Sequence, residues 1–402
     1  MASFLRKNMV VISLSCTIIA IIGALPTLKN LHINLTLFDE DRIVENFRSF
    51  DSLWETRELK EPKIAFIYPQ GEEMSYPKGF NYKDKAFNTE QFIEDSWTTG
   101  LIVIQDGEIR SEDYYLGNSS ATRNISWSVA KSFISALMGI AVSEGDIDSI
   151  EQPVTDYASN LIGSGYEDVR IKDVLQMSSG VGFNEDYGDF YSDINRWGRG
   201  FSFGNSQDDF AATLKNEIPP GTKNHYVSIN THVLGMVLSS ATGRSVTEYM
   251  QDKLYNPLGM EYSGYWIVDG HGMEMVLGGL NLTLRDFAKL GSLYLNDGLF
   301  NGQQIVPVDW VQASQTMDSP HLLPEDGFGY GYQWWLTDGD YKEFMAMGVY
   351  GQYIYVNPVN NTVIVKTSAN PYYNDTSYDP SNDFAHLAMF RALSTKAFNE
   401  RI

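Results

Sequence analysis

The chain has 402 residues, 43% of them hydrophobic and 20% charged, with 21 Phe, 24 Tyr and 8 Trp. That gives material for one large domain or two ordinary ones, and it excludes a disordered or low-complexity chain, which is poor in aromatic residues. Asp and Glu outnumber Lys and Arg 51 to 29, for a formal net charge of −22. A body this negative repels phosphate backbones, so no nucleic-acid partner is expected, and the acidic excess reads as a solvated surface.

The one cysteine, Cys16, leaves no material for a disulfide framework or a thiolate zinc site. His225 and His232 stand in no ligand pattern, so neither a metal nor another cofactor is expected.

In chain order, the first feature is the absence of charge between Lys7 and Lys29, with Met9–Leu25 almost wholly apolar. A helix of about 20 residues spans a bilayer core of about 30 Å. Arg6 and Lys7 ahead of it keep the N-terminus in the cytoplasm and send the body out. Residues 1–28 therefore read as a membrane anchor or signal segment. The uncleaved anchor is preferred, because a signal peptide's apolar run is shorter and Ile22-Gly23-Ala24 is a mediocre cleavage site. In both forms the body is exported to the periplasmic or extracellular face.

Residues 29–88, with Pro62, Pro69 and Pro77 among mixed polar residues, read as an irregular extension. Two β-rich runs, Gly100–Gln105 and Glu108–Gly117, flank Asp106-Gly107, which is a hairpin signal. The run from Ser128 to about Val142 is apolar all round, as in a helix buried at a domain's centre. From Ile150 to Leu258 the chain reads mainly as helix, with a loop-rich stretch at Ser178–Asn205. A helix Phe287–Tyr294 follows, then a strand–turn–strand around Asn357-Pro358 and a helix Asp383–Ala397. Strands at both ends of a helical middle predict an α/β (α+β) domain over 89–402: a sheet layer from 89–125 and 260–402 around an inserted helical lobe at 126–259.

Three constellations carry chemistry. Ser128-Val-Ala-Lys131 places a serine where a helix begins, with the amides and positive dipole end that stabilise developing negative charge. Lys131 follows one turn later on the same face, and burial lowers a lysine's pKa until it can accept a proton. Tyr226-Val-Ser228, followed by Asn230, offers a phenol that relays a proton beside a lysine. Gly348-Val-Tyr-Gly351-Gln352 heads a strand, where glycine lets backbone approach a substrate and the next amide can donate to an oxyanion.

Together and in this order these motifs resemble the serine β-lactamase and penicillin-binding-protein superfamily. The resemblance is closer to its branch of 6-aminohexanoate-dimer hydrolases and class C β-lactamase-like carboxylesterases. It extends over Gln176-Met-Ser-Ser-Gly180, Asn184-Glu-Asp-Tyr187, Tyr226–Thr231, Gly278–Asp286 and Gly351–Pro358. It implies a central antiparallel sheet flanked by helices, and an acyl-enzyme on Ser128 with Lys131 as base and Tyr226 as proton shuttle. It further implies an oxyanion hole from the amides of Ser128 and Gln352, beside Gly351 and Tyr350. Ser228 and Asn230 would position Lys131 and the substrate, and Tyr187 would contact the leaving amine. One departure matters. Val349-Tyr350-Gly351 stands where lactamases carry Lys-Thr-Gly, so the cation that grips a β-lactam's carboxylate is missing.

The expected activity is therefore hydrolysis of a small linear amide or ester. Two alternatives are a D-amino-acid peptidase acting on cell-wall peptides and a non-catalytic, membrane-tethered scaffold reusing the fold. The co-occurrence of Ser128, Lys131 and Tyr226 argues against the scaffold. The acids Glu185, Asp186, Asp189 and Asp193 read as a solvated loop in preference to a contact for a substrate's ammonium group. The aromatic run Phe328–Trp335 reads either as an acyl-pocket lining or as strand packing.

Overall fold

The computed structural model describes residues 30–395 except 34, 324–326, 338 and 341. The apolar run Met9–Leu25 and the expected end of the last helix at Ala397 lie outside the described residues. Among those residues, no helix is long and apolar enough to cross a membrane.

The framework is a seven-stranded antiparallel sheet. Its strands are β1 (Thr98–Gln105), β2 (Glu108–Tyr114), β3 (Gly329–Tyr330), β4 (Trp335–Leu336), β5 (Phe344–Gly348), β6 (Gln352–Asn357) and β7 (Thr362–Ser368), in the order β3-β4-β5-β6-β7-β1-β2. The two ends of the domain meet where β7 pairs with β1, with Val363 opposite Ile104 and Val365 opposite Ile102. The expected hairpin joins β1 to β2 through Asp106 and Gly107, both at positive φ (55° and 81°). Two such residues in succession match the right-handed twist of the paired strands.

Side chains alternate across these strands, and both sides are covered. Ile102, Ile104, Ile354, Val356, Val363 and Val365 join the core with helices α1 (Ala130–Glu144), α2 (Ser228–Thr242) and α3 (Leu284–Leu295). Leu101, Val103, Tyr353, Tyr355 and Ile364 face the final helix α4 (Asp383–Ser394), which contributes Ala385, Met389, Phe390 and Leu393. Burying a side chain of this size stabilises by about 1.5–3 kcal/mol. A sheet covered on both faces needs near-continuous apolar strands, and these strands are that.

In the chain between β2 and β3, α1 and α2 pack against each other. Each is apolar on nearly every side and ends at a glycine in the left-handed region, Gly145 (φ 81°) and Gly243 (φ 65°). The loop-rich stretch at Ser178–Asn205 holds a helix, Asp193–Ser202, capped by Ser192. One expectation is corrected here: the extension is not irregular throughout. It carries short helices at Ile43–Phe47 and Phe50–Leu53 and a hairpin of Gly79–Tyr82 with Lys85–Asn88. Its strand Thr56–Leu59 pairs with Gly264–Ile267 in a second, four-stranded sheet. These pieces are too short to show a period and are held by partners far along the chain.

Candidate active site

Ser128 lies in a single 3₁₀ turn, Trp127–Val129, that leads directly into α1. Trp127 sits at φ 42°, a region costly for a bulky side chain. An aromatic cluster holds it there: Phe47 at 5.4 Å, Phe50 at 5.8 Å, Tyr350 at 5.7 Å and Phe38 at 6.1 Å between ring centroids. The extension thus supplies the packing that fixes the residue before the serine.

Lys131 is buried, and its Nζ donates to Ser128 Oγ at 3.0 Å and to the Leu277 carbonyl at 2.7 Å. Burial holds its ammonium down to about 7, with the charge of Glu185 acting in the opposite direction. Tyr226 completes the group. Lys131 Nζ is 5.4 Å from the centre of its ring. Burial and then the Glu185 charge push its phenol well up, while hydrogen bonding with the hydroxyls of Ser128 and Ser228 pulls it down. Tyr226 is therefore protonated across the neutral range.

The structure brings Ser128, Lys131, Tyr226, Ser228 and Tyr187 together and disperses the remaining candidates. Ser228 makes no hydrogen bond to Lys131. Its N–H and Oγ both donate to Glu185, at 3.0 and 2.5 Å, and the Tyr187 hydroxyl donates to the same carboxylate at 2.8 Å. Asn230 is buried away from the site, accepting from the Tyr166 hydroxyl at 2.9 Å. Glu185 is the residue that sequence reasoning misplaced. Asp186 and Asp189 cap surface turns by accepting from Gly188 N and Tyr191 N, and Asp193 pairs with Arg196. Glu185, by contrast, lines the cavity beside Ser128. Its nearness to Tyr187 in the chain was the available signal.

The third motif also meets the serine at a different point from the one expected. Gly348, at the end of β5, packs so closely that a Cβ there would stand 2.8 Å from the Ser126 carbonyl oxygen and 3.1 Å from Ser128 N. Met347, Gly348 and Val349 line the cavity, whereas Tyr350, Gly351 and Gln352 do not. Tyr350 turns into the aromatic cluster, stacked on Phe38 at 5.0 Å. Gly351 (φ 88°) makes the turn into β6 against Ser368, and the Gln352 side chain bonds Ser368 backbone on both sides. A glycine three residues before the expected one carries the close approach. Ala346 stands two residues before Gly348, so this register holds no lysine either.

These groups open on a cavity of about 470 Å³. The aromatic run divides: Phe328 and Trp335 line the cavity, while Tyr330, Tyr332 and Trp334 are buried.

Residues 89–388 match the Beta-lactamase family model. The chain belongs to that family. It is a serine hydrolase of the β-lactamase-related kind, and a 6-aminohexanoate-dimer hydrolase of Paenarthrobacter ureafaciens is 30% identical to it over 296 residues, 70% of this chain and 75% of that protein. In fold it resembles a solved structure from Bacillus anthracis, provisionally named a 6-aminohexanoate-dimer hydrolase. The TM-score is 0.79 at 22% identity, over 89% of this chain and 95% of that one. It also resembles a penicillin-binding protein from Bacillus halodurans, with a TM-score of 0.59 at 18% identity over 76% of this chain and 100% of that one.

Proposed function

We propose that this β-lactamase-family hydrolase cleaves a linear amide or ester through an acyl-enzyme on Ser128. The reading is carried by the buried Lys131 amine 3.0 Å from the Ser128 hydroxyl at the floor of the cavity. A lysine held near 7 is largely neutral at mildly alkaline pH and can take the hydroxyl proton as Oγ attacks the substrate carbonyl. The tetrahedral oxygen then takes its negative charge between the amides of Ser128 and Val349, the second being the first amide after the close approach at Gly348. Tyr226, a phenol at neutral pH, gives its proton to the departing amine or alkoxide and regains one through Lys131. Water reverses the sequence and frees the acid. Glu185 fixes Ser228 and Tyr187 around the leaving-group side, the side on which Tyr187 contacts the amine.

The same proposal places the body outside the cytoplasm, tethered by Met9–Leu25, the uncharged run with Arg6 and Lys7 before it. Two experiments test it. A fluorophosphonate probe should label the wild type and not Ser128→Ala, and an unlabelled wild type removes the nucleophile. Full-length chain should stay in the membrane fraction through alkaline carbonate washing. A soluble mature form beginning near Leu25 would show a cleaved signal instead.

A further inference from the structure

The base and the proton shuttle stand on different segments. Lys131 belongs to α1, and Tyr226 lies two residues before α2. Among the described residues no hydrogen bond runs directly from α1 to α2, which pack through apolar members of one core cluster. Apolar contact is not directional. It holds two helices together without fixing how one turns or slides on the other. Hydrogen bonds do fix that, and here they converge on one residue of the loop between β3 and β4.

That residue is Gln333, only 2% exposed. Its carbonyl oxygen accepts from Ser132 Oγ at 2.7 Å, one residue past Lys131 on α1. Its Oε1 accepts from Thr231 Oγ1 of α2 at 2.6 Å. Its N–H and Nε2 both donate to the Leu175 carbonyl, at 3.2 and 2.8 Å, where the short helix Ile171–Leu175 ends. Two residues further on, the Met177 carbonyl accepts from the N–H of His225, the neighbour of Tyr226, at 2.7 Å. Trp335, two residues after Gln333, stacks on the Tyr226 ring at 5.3 Å. Through these contacts Gln333 reaches the helix of the base and, on either side of Tyr226, the segment of the shuttle.

The backbone adds a second observation. Gln333 sits at φ 62°, in the left-handed region that glycine enters freely and glutamine does not. A glycine would relieve the turn and forfeit the side-chain bonds. Strain of this kind persists where the surrounding structure over-determines it, and it gathers at functional sites.

We propose that Gln333 is a positioning residue for the proton relay: by tying Ser132 of α1 to Thr231 of α2 it sets the spacing of Lys131 and Tyr226. It does not line the cavity and touches no substrate. The proposal rests on the acyl-enzyme reading, with Lys131 as base and Tyr226 as donor to the leaving group.

The test is Gln333→Met on the full chain, which keeps side-chain length and loses the bonds to Thr231 and Leu175. Ser128 and Lys131 share one turn of chain and keep their distance whatever α2 does. Fluorophosphonate labelling, which needs no protonated amine or alkoxide, should therefore stay within about threefold of wild type. A p-nitrophenyl ester is then compared with the faster of the matching ethyl ester and ethylamide, whose leaving groups need a proton. On the second substrate kcat should fall by about tenfold or more, with KM within about twofold and a smaller loss on the first. Thr231→Val, which removes only the hydroxyl, should shift the ratio of the two rates in the same direction. In a Tyr226→Phe background Gln333→Met should change that ratio no further, because the relay is already gone. Equal losses on both substrates, or a ratio that falls again in the double variant, overturn the proposal and leave Gln333 a structural part of its turn. If Gln333→Met does not fold, Thr231→Val decides by the same ratio, alone and with Tyr226→Phe. Failure of the underlying reading shows differently, as an unlabelled wild type or a ratio that Tyr226→Phe leaves unchanged.

Discussion

Lys131 and Glu185 set the pH response of the reaction between them. The lysine must be neutral to accept the serine proton, so kcat/KM should be low in acid, rise through about pH 7 and level off above it. The Glu185 charge favours the ammonium form, so Glu185→Gln should move that rise to lower pH. A pH–rate profile of both proteins measures it, and a midpoint that stays put or moves up removes Glu185 from the electrostatics of the base. Tyr226→Phe tests the other proton carrier. It keeps the stack on Trp335 and loses only the hydroxyl, and proton transfer of this type contributes about 10²–10⁴-fold. The loss should be larger for an amide than for a p-nitrophenyl ester, since an amine must be protonated to depart and a nitrophenolate need not be. Equal losses on the two substrates would leave Lys131 as the only proton carrier.

At the level of elements, the site depends on how closely α3 and the sheet approach. Gly291 of α3 lies against β6 and β7, where a Cβ would stand 2.6 Å from a Val363 methyl and 2.9 Å from an Ile354 methyl. In an exposed helix, replacing Gly by Ala gains about 1 kcal/mol. Here the added methyl meets branched side chains on paired strands that cannot swing aside, and overpacking of this type costs about 1–3 kcal/mol. Gly291→Ala should therefore lower stability to urea, against the helix-propensity expectation. A midpoint equal to or above the wild type would mean that the helix slides freely on the sheet.

At the scale of the whole molecule, substrate choice follows from what converges on Ser128 and what does not. No lysine stands in either register of the third motif: Val349-Tyr350-Gly351 and Ala346-Met347-Gly348 both lack a cation, and of these residues Met347, Gly348 and Val349 line the cavity. The nearest lysine on the neighbouring strands, Lys366, is buried and directed at Ser368 Oγ. A chromogenic cephalosporin, whose carboxylate finds no partner, should be hydrolysed at least a hundredfold more slowly in kcat/KM than a short-chain p-nitrophenyl ester; a carboxylate's charge-assisted hydrogen bonds are worth roughly 1.5–3 kcal/mol, and repulsion adds to their loss. Comparable rates on the two substrates would show that another group takes the carboxylate.

The sequence by itself determined the parts whose signal is local. Asp106-Gly107 between two β-rich runs set the first hairpin, and an apolar run opening at Ser128-Val-Ala-Lys131 set the buried helix and the nucleophile–base pair, since helical periodicity alone brings residues three apart onto one face. The order of Ser128, Tyr226 and the glycine-rich strand end identified the family. Only the tertiary structure decided which backbone reaches the serine. Gly348 and Gly351 look alike in the chain, and the β5–β6 register places one against Ser128 N and turns the other toward Ser368. It alone separated Glu185 from three acids of the same loop, because burial against Ser228 depends on a helix some 40 residues away. The same holds for Phe38 and Phe47, residues of an extension without pattern that pack on Trp127 and Tyr350. Periodicity fixes what a segment becomes; long-range contact fixes what it meets.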